Sequence, residues 1–346
     1  MKHANISIFI PHIGCPHRCS FCDQRTISGA QHIPHGDDVR EICGKALAEV
    51  KSPENTEIAF FGGSFTAIPR AYMTELLEAA HSFVGEGKFS GIRISTRPDC
   101  IDDEILTLLK KYGVTAIELG AQSMSDKVLE ANERGHSCAD VEKASALIRE
   151  YGFELGLQMM IGLYKSDMAD EYETLDKIVS VHPDTVRIYP VVILDGTKLG
   201  ELYKSGEYST FSFEEVTEFA AIAMMKFEYE GIKVIKCGLH ASEFVKRDMI
   251  GGFYHPAFRE ICESNIYRRK MEERIAYENE SGFNFVFAVN PTCISKAMGH
   301  KKANVEYFKN HGVSIKIIGD ENVPKYEIRC ILNHWKYRDS SRFPIK

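Results

Sequence analysis

Three cysteines stand at spacings of four and then three in Cys15-Pro-His-Arg-Cys19-Ser-Phe-Cys22, just after the apolar run Ile6 to Pro11. Thiolates this close in sequence serve two kinds of centre. A [4Fe–4S] cluster takes close-spaced cysteines, and three of them leave one iron open for chemistry. A structural zinc ion wants four ligands, and His12 and His17 are near enough in sequence to supply one. The motif alone leaves both open. The other seven cysteines contain no Cys-x-x-Cys pair, which argues against a second ferredoxin-like cluster.

The elements that must position these thiols alternate. Strand-like runs at Ile6–Pro11, Glu57–Phe61, Gly91–Ser95, Thr115–Leu119, Phe153–Met160 and Thr185–Val192 are short and rich in β-branched and aromatic residues. Helical patterns separate them at Asp38–Val50, Arg70–Val84, Asp102–Tyr112, Ala139–Tyr151 and Met168–Val181, and Phe213–Tyr229 follows the last strand. Asp102-Asp103-Glu104 and Ser212-Phe-Glu-Glu215 read as capped or acidic first turns. Six strand–helix units imply a parallel sheet with right-handed crossovers, too few for a closed eight-fold barrel. An α/β fold of this kind binds ligands beyond the carboxyl ends of its strands, which is where the cysteine loop lies. The pattern changes after Gly231. A charged helix around Ile261–Glu280, a strand Phe283–Val289, a helix around Ser295–Asn310 and strands near Val313–Ile318 and Tyr326–Leu332 predict a small C-terminal α+β extension. The expected division is 1–240 and 241–346.

Each strand end carries groups suited to a bound ligand. Gly62, Gly63 and Ser64 follow the second strand, and glycines there let a backbone approach a ligand closely. Ser95, with Arg97 and Asp99, follows the third. Gln122 ends the fourth, and Glu133-Arg134-Gly135-His136 comes next. A guanidinium fork matches a carboxylate, so Arg134 is the candidate for one. Gln158, Ile161 and Gly162 belong to the fifth strand, and Arg187-Ile188-Tyr189-Pro190 begins the sixth.

Taken together, Cys-x3-Cys-x2-Cys with Phe21 before the last cysteine resembles the signature of the radical SAM superfamily. Ser95-Thr-Arg-Pro-Asp99, Gly120-Ala-Gln-Ser123, Arg134-Gly-His136, Met159-Met-Ile-Gly-Leu163 and Ile188-Tyr-Pro190 resemble elements of its elongator-type members. The resemblance implies a partial (β/α)6 barrel over roughly residues 5 to 240. It also implies a [4Fe–4S] cluster on Cys15, Cys19 and Cys22, with S-adenosylmethionine (SAM) on the open iron. By the same resemblance Gly62, Gly63 and Ser64 grip the methionine amino group and Arg134 meets the methionine carboxylate. Gln122 orients the cofactor, Ser95 and Gln158 lie at the ribose, and Ile161 and Gly162 shape the adenine pocket. Ser95 stands where such proteins carry a glutamate, and Ser64 where many carry an acid. The implied chemistry is reductive cleavage of SAM to a 5′-deoxyadenosyl radical and hydrogen abstraction from a substrate, with an electron donor such as a ferredoxin or flavodoxin. RNA, and tRNA first, is the favoured substrate. A small molecule or a porphyrinogen is the alternative, because the fourth-strand element is shared with oxygen-independent coproporphyrinogen oxidases. A non-catalytic iron–sulfur binding protein is the other. At 346 residues the chain is too short for the acetyltransferase domain of the elongator catalytic subunit.

Composition bounds these readings. Hydrophobic content of 44% and charged content of 26% are those of a soluble globular protein. There is no apolar run of membrane-spanning length and no secretory core at the N-terminus, so a cytoplasmic, reducing compartment is expected. Net charge is −7, unevenly spread. Residues 1–240 carry 24 basic against 36 acidic side chains, and 241–346 carry 18 against 13. A mildly basic C-terminal part is compatible with phosphate contact, and His300-Lys301-Lys302 is a cluster of positive charge within it.

Overall fold

Alternation along the strands decides this fold, since successive side chains point to opposite faces of a sheet. A computed structural model of the chain describes residues 4–10, 15, 19–23, 32–239, 243–278 and 284–332. Its strands are β1 (Ala4–Ile10), β2 (Thr56–Gly62), β3 (Gly91–Thr96), β4 (Val114–Gln122), β5 (Glu154–Ile161), β6 (Thr185–Pro190), β7 (Val192–Leu194), β8 (Lys233–Cys237) and β9 (Met249–Gly252). Seven of them form one parallel sheet in the order β1-β2-β3-β4-β5-β6-β8. The sheet is a curled half-barrel whose edges, β1 and β8, do not pair among the described residues.

On one face, Ile58, Phe60, Ile92, Ile94, Ile117, Leu119, Leu155, Leu157, Val186 and Ile188 are at most 1% exposed. Burying such a side chain contributes about 1.5–3 kcal/mol, so this face is the main hydrophobic source of the fold. The alternate residues include the polar Glu57, Arg93, Ser95, Glu118, Gln158 and Arg187.

The crossover helices are α1 (Gly36–Glu49), α2 (Arg70–His81), α3 (Asp103–Lys111), α4 (Asp126–Ala131), α5 (Cys138–Glu150), α6 (Met168–Val181), α7 (Lys198–Ser205) and α8 (Phe213–Tyr229). Their buried residues recur at helical spacing, as with Ile105, Leu106 and Leu109 of α3. Side chains stop the ends. Asp102 caps α3 by accepting from the Ile105 amide, and Ser137 with Asp140 forms a capping box on α5.

Two details of the half-barrel differ from the sequence expectation. A seventh strand, β8, joins the sheet beyond the six units. Its Lys-Val-Ile-Lys-Cys sequence has the charged, half-exposed character of an edge strand and little of a buried one. The sixth strand also stops at Pro190, which lacks an amide donor, and the chain restarts as β7, antiparallel to β9.

Packing divides the chain into two units, Met1–Ser212 with Phe227–Pro256, and Phe213–Lys226 with Ala257–Lys346. The second has a three-stranded sheet in which β10 (Asn284–Val289) lies between parallel β11 (Ser314–Gly319) and antiparallel β12 (Arg329–Leu332). Its helices are α9 (Phe258–Glu278), α10 (Ile294–Met298) and α11 (Ala303–Asn310). The one helix expected over Ser295–Asn310 is broken in two. Gly299, Lys301 and Lys302 take positive φ, and the Asn304 amide ties the break to the Ser264 and Ala297 carbonyls. Among the described residues no helix is long and apolar enough to cross a membrane.

Candidate functional site

The cysteine loop is held by Asn132 and by an apolar cluster around Phe21. Ser20 donates its amide to the Asn132 carbonyl (3.1 Å) and its hydroxyl to the Asn132 side chain (2.8 Å). The fully buried Asn132 in turn donates to the Val128 and Tyr164 carbonyls. Phe21 packs with Val128, Leu163, Val191, Leu199 and Tyr208, and Cys19 and Cys22 lie against this cluster. The aromatic before the last cysteine is therefore the loop's apolar anchor. Residues 11–14, 16–18 and 24–31, including His12 and His17, lie outside the described residues.

Around these thiols stand several of the sequence-selected residues. Arg134, 6% exposed, donates from Nη1 to Cys19 Sγ at 2.9 Å and from Nη2 to the Gly120 carbonyl at 2.6 Å. Its guanidinium lies 5.9 Å from the Phe21 ring centroid. The guanidinium proposed for a carboxylate is thus also a donor to a thiol. Its Nε, like Gln122 Oε1, is buried without a partner. Between them, Gly120 keeps the space open: a Cβ there would stand 2.9 Å from Gln122 Nε2 and 3.4 Å from Arg134 Nη2. Cys15 Sγ points to Ser64 Oγ at 3.9 Å. Gly62 has φ +114, and a side chain there would meet the Ile10 carbonyl at 2.6 Å, while the Gly63 amide donates to that carbonyl. Only glycine fits such a close approach.

The other selected groups lie on the neighbouring strands, Ser95 and Ile161 near the ends of β3 and β5 and Gln158 three residues before the end of β5. Ile161 ends β5, and the Gly162 amide donates to Glu171 Oε1 (2.8 Å) while its carbonyl accepts from Tyr208. Ser95 and Gln158 meet directly, with Gln158 Nε2 donating to Ser95 Oγ at 3.2 Å. Arg97 forms a two-bond pair with Asp99, 2.9 Å each, and also donates to the Arg134 carbonyl, so this turn braces the Arg134 segment. Burial and the neighbouring Arg134 and Arg97 push His136 down to about 4, so its ring is neutral. It is not the cap of α5, which is Ser137.

Sequence reading missed the polar layer beneath. Arg93 bonds Glu57 (2.8 Å) and Glu154 (2.8 Å), and Arg187 grips Glu118 with two bonds of 2.6 and 2.8 Å. The signal was available: strands β2 to β6 each carry a charge, Glu57, Arg93, Glu118, Glu154 and Arg187, within an otherwise largely apolar run. Glu171 was missed as well. It is 3% exposed, and burial pushes its carboxyl up to about 7.

The donors suit an iron–sulfur cluster with an amino-acid-bearing nucleoside beside it. Among the described residues no three His, Cys, Asp or Glu side chains are placed to share a single metal ion. A [4Fe–4S] cube does not require that, since each thiolate binds its own iron. Burial, with the Cys19 and Cys15 thiols alongside, pushes Cys22 up to about 12. Metal ligation removes that proton and its penalty. The unpartnered Gln122 Oε1 and Arg134 Nε, together with the gap at Gly120, leave polar atoms for a further ligand.

The profile of the radical SAM superfamily matches residues 9–178, and that of the Radical_SAM C-terminal domain matches 183–268. The chain belongs to the radical SAM superfamily. An uncharacterised protein of Methanocaldococcus jannaschii is 31% identical over 57% of this chain and 64% of its own length. A tRNA uridine(34) acetyltransferase of the same organism is 29% identical over 60% of this chain and 46% of its own length. The chain thus spans about half to two thirds of these curated relatives. The solved Methanocaldococcus infernus Elp3 with an N-terminal deletion superposes with a TM-score of 0.54 at 20% identity. It covers 70% of this chain and 61% of that one, and shows the same half-barrel fold.

Proposed function

We propose that this radical SAM protein holds a [4Fe–4S] cluster on Cys15, Cys19 and Cys22, cleaves SAM reductively, and directs the resulting radical at RNA, with tRNA as the first candidate. The observation that carries the reading is Arg134, which joins the cysteine loop to the end of β4 through Cys19 Sγ and the Gly120 carbonyl. When bound, the cluster and SAM supply one-electron cleavage of a carbon–sulfur bond and a 5′-deoxyadenosyl radical.

The chain's own residues hold and orient. Arg134 places a positive charge on a cluster ligand and keeps Nε for the methionine carboxylate. Gly62, Gly63 and Ser64 offer backbone and a hydroxyl to the methionine amino group. Gln122, which takes φ 65 at the end of β4, presents its unpartnered oxygen to the cofactor. Ser95 and Gln158 face the ribose, and Ile161 with Gly162 forms an apolar and amide surface for adenine. Glu171 and Tyr208 fix Gly162 from behind. The buried Phe21 cluster keeps water from the cysteine loop.

RNA as substrate is supported by the tRNA named for a curated relative and by the positive balance of residues 241–346, with Lys301 and Lys302 at the start of α11. We take 1–240 as the radical-generating part and 241–346 as the RNA-facing part. The acetyl transfer named for that relative is no part of the proposal. A reducing compartment, such as the cytoplasm, and a low-potential donor of the ferredoxin or flavodoxin kind complete it. Comparing nucleosides of bulk tRNA and small metabolites from cells with and without this chain tests it. Loss of one modified tRNA nucleoside is expected. Unchanged tRNA beside an altered small metabolite would move the substrate out of RNA.

A further inference from the structure

Ser95, Glu118 and Gln158 lie on one face of three adjacent strands. Ser95 pairs in register with Glu118, Glu118 with Gly156, and Gln158 with Arg187. Gln158 Nε2 is 3.0 Å from Glu118 Oε2 and 3.2 Å from Ser95 Oγ. Glu118 is 1% exposed, and Arg187 binds both of its oxygens while Arg93 Nη1 stands 3.5 Å away. Two guanidinium groups balance this carboxylate in a place where an unpaired charge would be prohibitive. Glu118 reaches Arg187 by lying across β5 at Gly156, where a Cβ would come within 2.8 Å of Glu118 Cγ. The gap at Gly156 and the length of Glu118 are matched.

We infer that Glu118 is the positioning residue of the ribose subsite, orienting the Gln158 amide so that it offers an oxygen acceptor beside the Ser95 hydroxyl. Both Glu118 oxygens accept from Arg187, so the Gln158 atom facing this acceptor is the NH2 group. The Gln158 oxygen then points away from Glu118, and among the described residues it has no partner. Ser95 Oγ accepts from Gln158, which leaves the serine O–H to donate. An acceptor and a donor side by side match a vicinal diol, whose hydroxyls each donate and accept. Ser95 stands where the resemblance expects a glutamate. Glu118, one strand over and acting through Gln158, restores the fixed acceptor that the serine lacks.

This rests on the reading that Ser95 and Gln158 face the ribose of SAM, and the test separates the two ideas. Cluster-loaded protein is dialysed anaerobically against SAM and against its 2′,3′-dideoxy analogue, with iron and sulfide content measured in each sample. Wild type is expected to prefer SAM by about tenfold, the worth of one or two well-made hydrogen bonds. Glu118→Gln, whose amide no longer dictates which end of Gln158 faces it, is expected to lose most of that preference at unchanged cluster content. Glu118→Asp, which keeps the charge for Arg187 but withdraws from Gln158, is expected to do the same and serves if the first variant fails to fold. Full preference in either folded Glu118 variant, together with lost preference in Gln158→Leu, overturns the orienting role and leaves the ribose reading standing. Full preference in Gln158→Leu overturns both.

Discussion

Arg134 Nη1 donates to Cys19 Sγ across 2.9 Å, although 115 residues separate the two in sequence. A hydrogen bond from a cation to a cluster sulfur favours the more negative, reduced cluster. Arg134→Gln is therefore expected to lower the midpoint potential of the reconstituted protein by about 60 mV or more, the equivalent of one charge-assisted bond for a one-electron couple. Arg134→Lys is expected to fall between the two. Redox titration followed by electron paramagnetic resonance measures it, and an unchanged potential would remove Arg134 from the cluster's surroundings.

The polar layer of the half-barrel makes a stability prediction. Arg187→Met takes both of its bonds from buried Glu118 and leaves Arg93, 3.5 Å away and already paired with Glu57 and Glu154, as its one guanidinium neighbour, which costs about 3–5 kcal/mol. Adding Glu118→Leu removes the orphaned charge, and most of the loss is expected to return. Urea unfolding of Arg187→Met, Glu118→Leu and the double variant checks this; additive losses would show that Arg187 and Glu118 act independently.

These two residues also mark what sequence could and could not disclose. The strand runs, the helices at Met168–Val181 and Phe213–Tyr229 and the order of the glycine, Gln122 and Arg134 elements were legible because periodicity and motif spacing are local properties. That Glu118 crosses β5 to Arg187 was not. It depends on which residue of β4 pairs with which of β5 and β6, and on the missing side chain of Gly156. Edge strand β8 was lost for the opposite reason, since its lysines belong to a sheet margin that a five-residue window does not reveal. The break at Gly299–Lys302 was hidden because bonds donated by the His300 amide and the Asn304 side chain to distant Ser264 help to hold two lysines at positive φ.

Glu171 gives a pH prediction. Its folded carboxyl is raised from 4.5 to about 7 by burial, so its contribution to stability is complete below about 4.5 and is lost as pH rises through about 7. The loss amounts to about 3 kcal/mol. Glu171→Gln keeps an oxygen for the Gly162 amide and the Ser166 hydroxyl but has nothing to ionise. The variant is expected to match wild type near pH 4.5 and exceed it at pH 8. A stability difference independent of pH would contradict the assignment.

RNA binding makes a salt prediction. Phosphate contacts release counterions, so affinity for bulk tRNA is expected to fall as salt rises. Neutralising Lys301 and Lys302 together is expected to weaken binding about uniformly across tRNA species and flatten the salt slope by about two contacts. Filter binding over a salt series reads both. No detectable affinity at low salt would count against RNA.

The most direct measurement is made on anaerobically reconstituted protein given SAM and a strong reductant. Equal amounts of 5′-deoxyadenosine and methionine are expected from the wild type, and neither from Cys19→Ala. A fully loaded wild type that releases no 5′-deoxyadenosine, or a Cys19→Ala variant that continues to release it, would contradict a SAM-cleaving cluster at Cys15, Cys19 and Cys22.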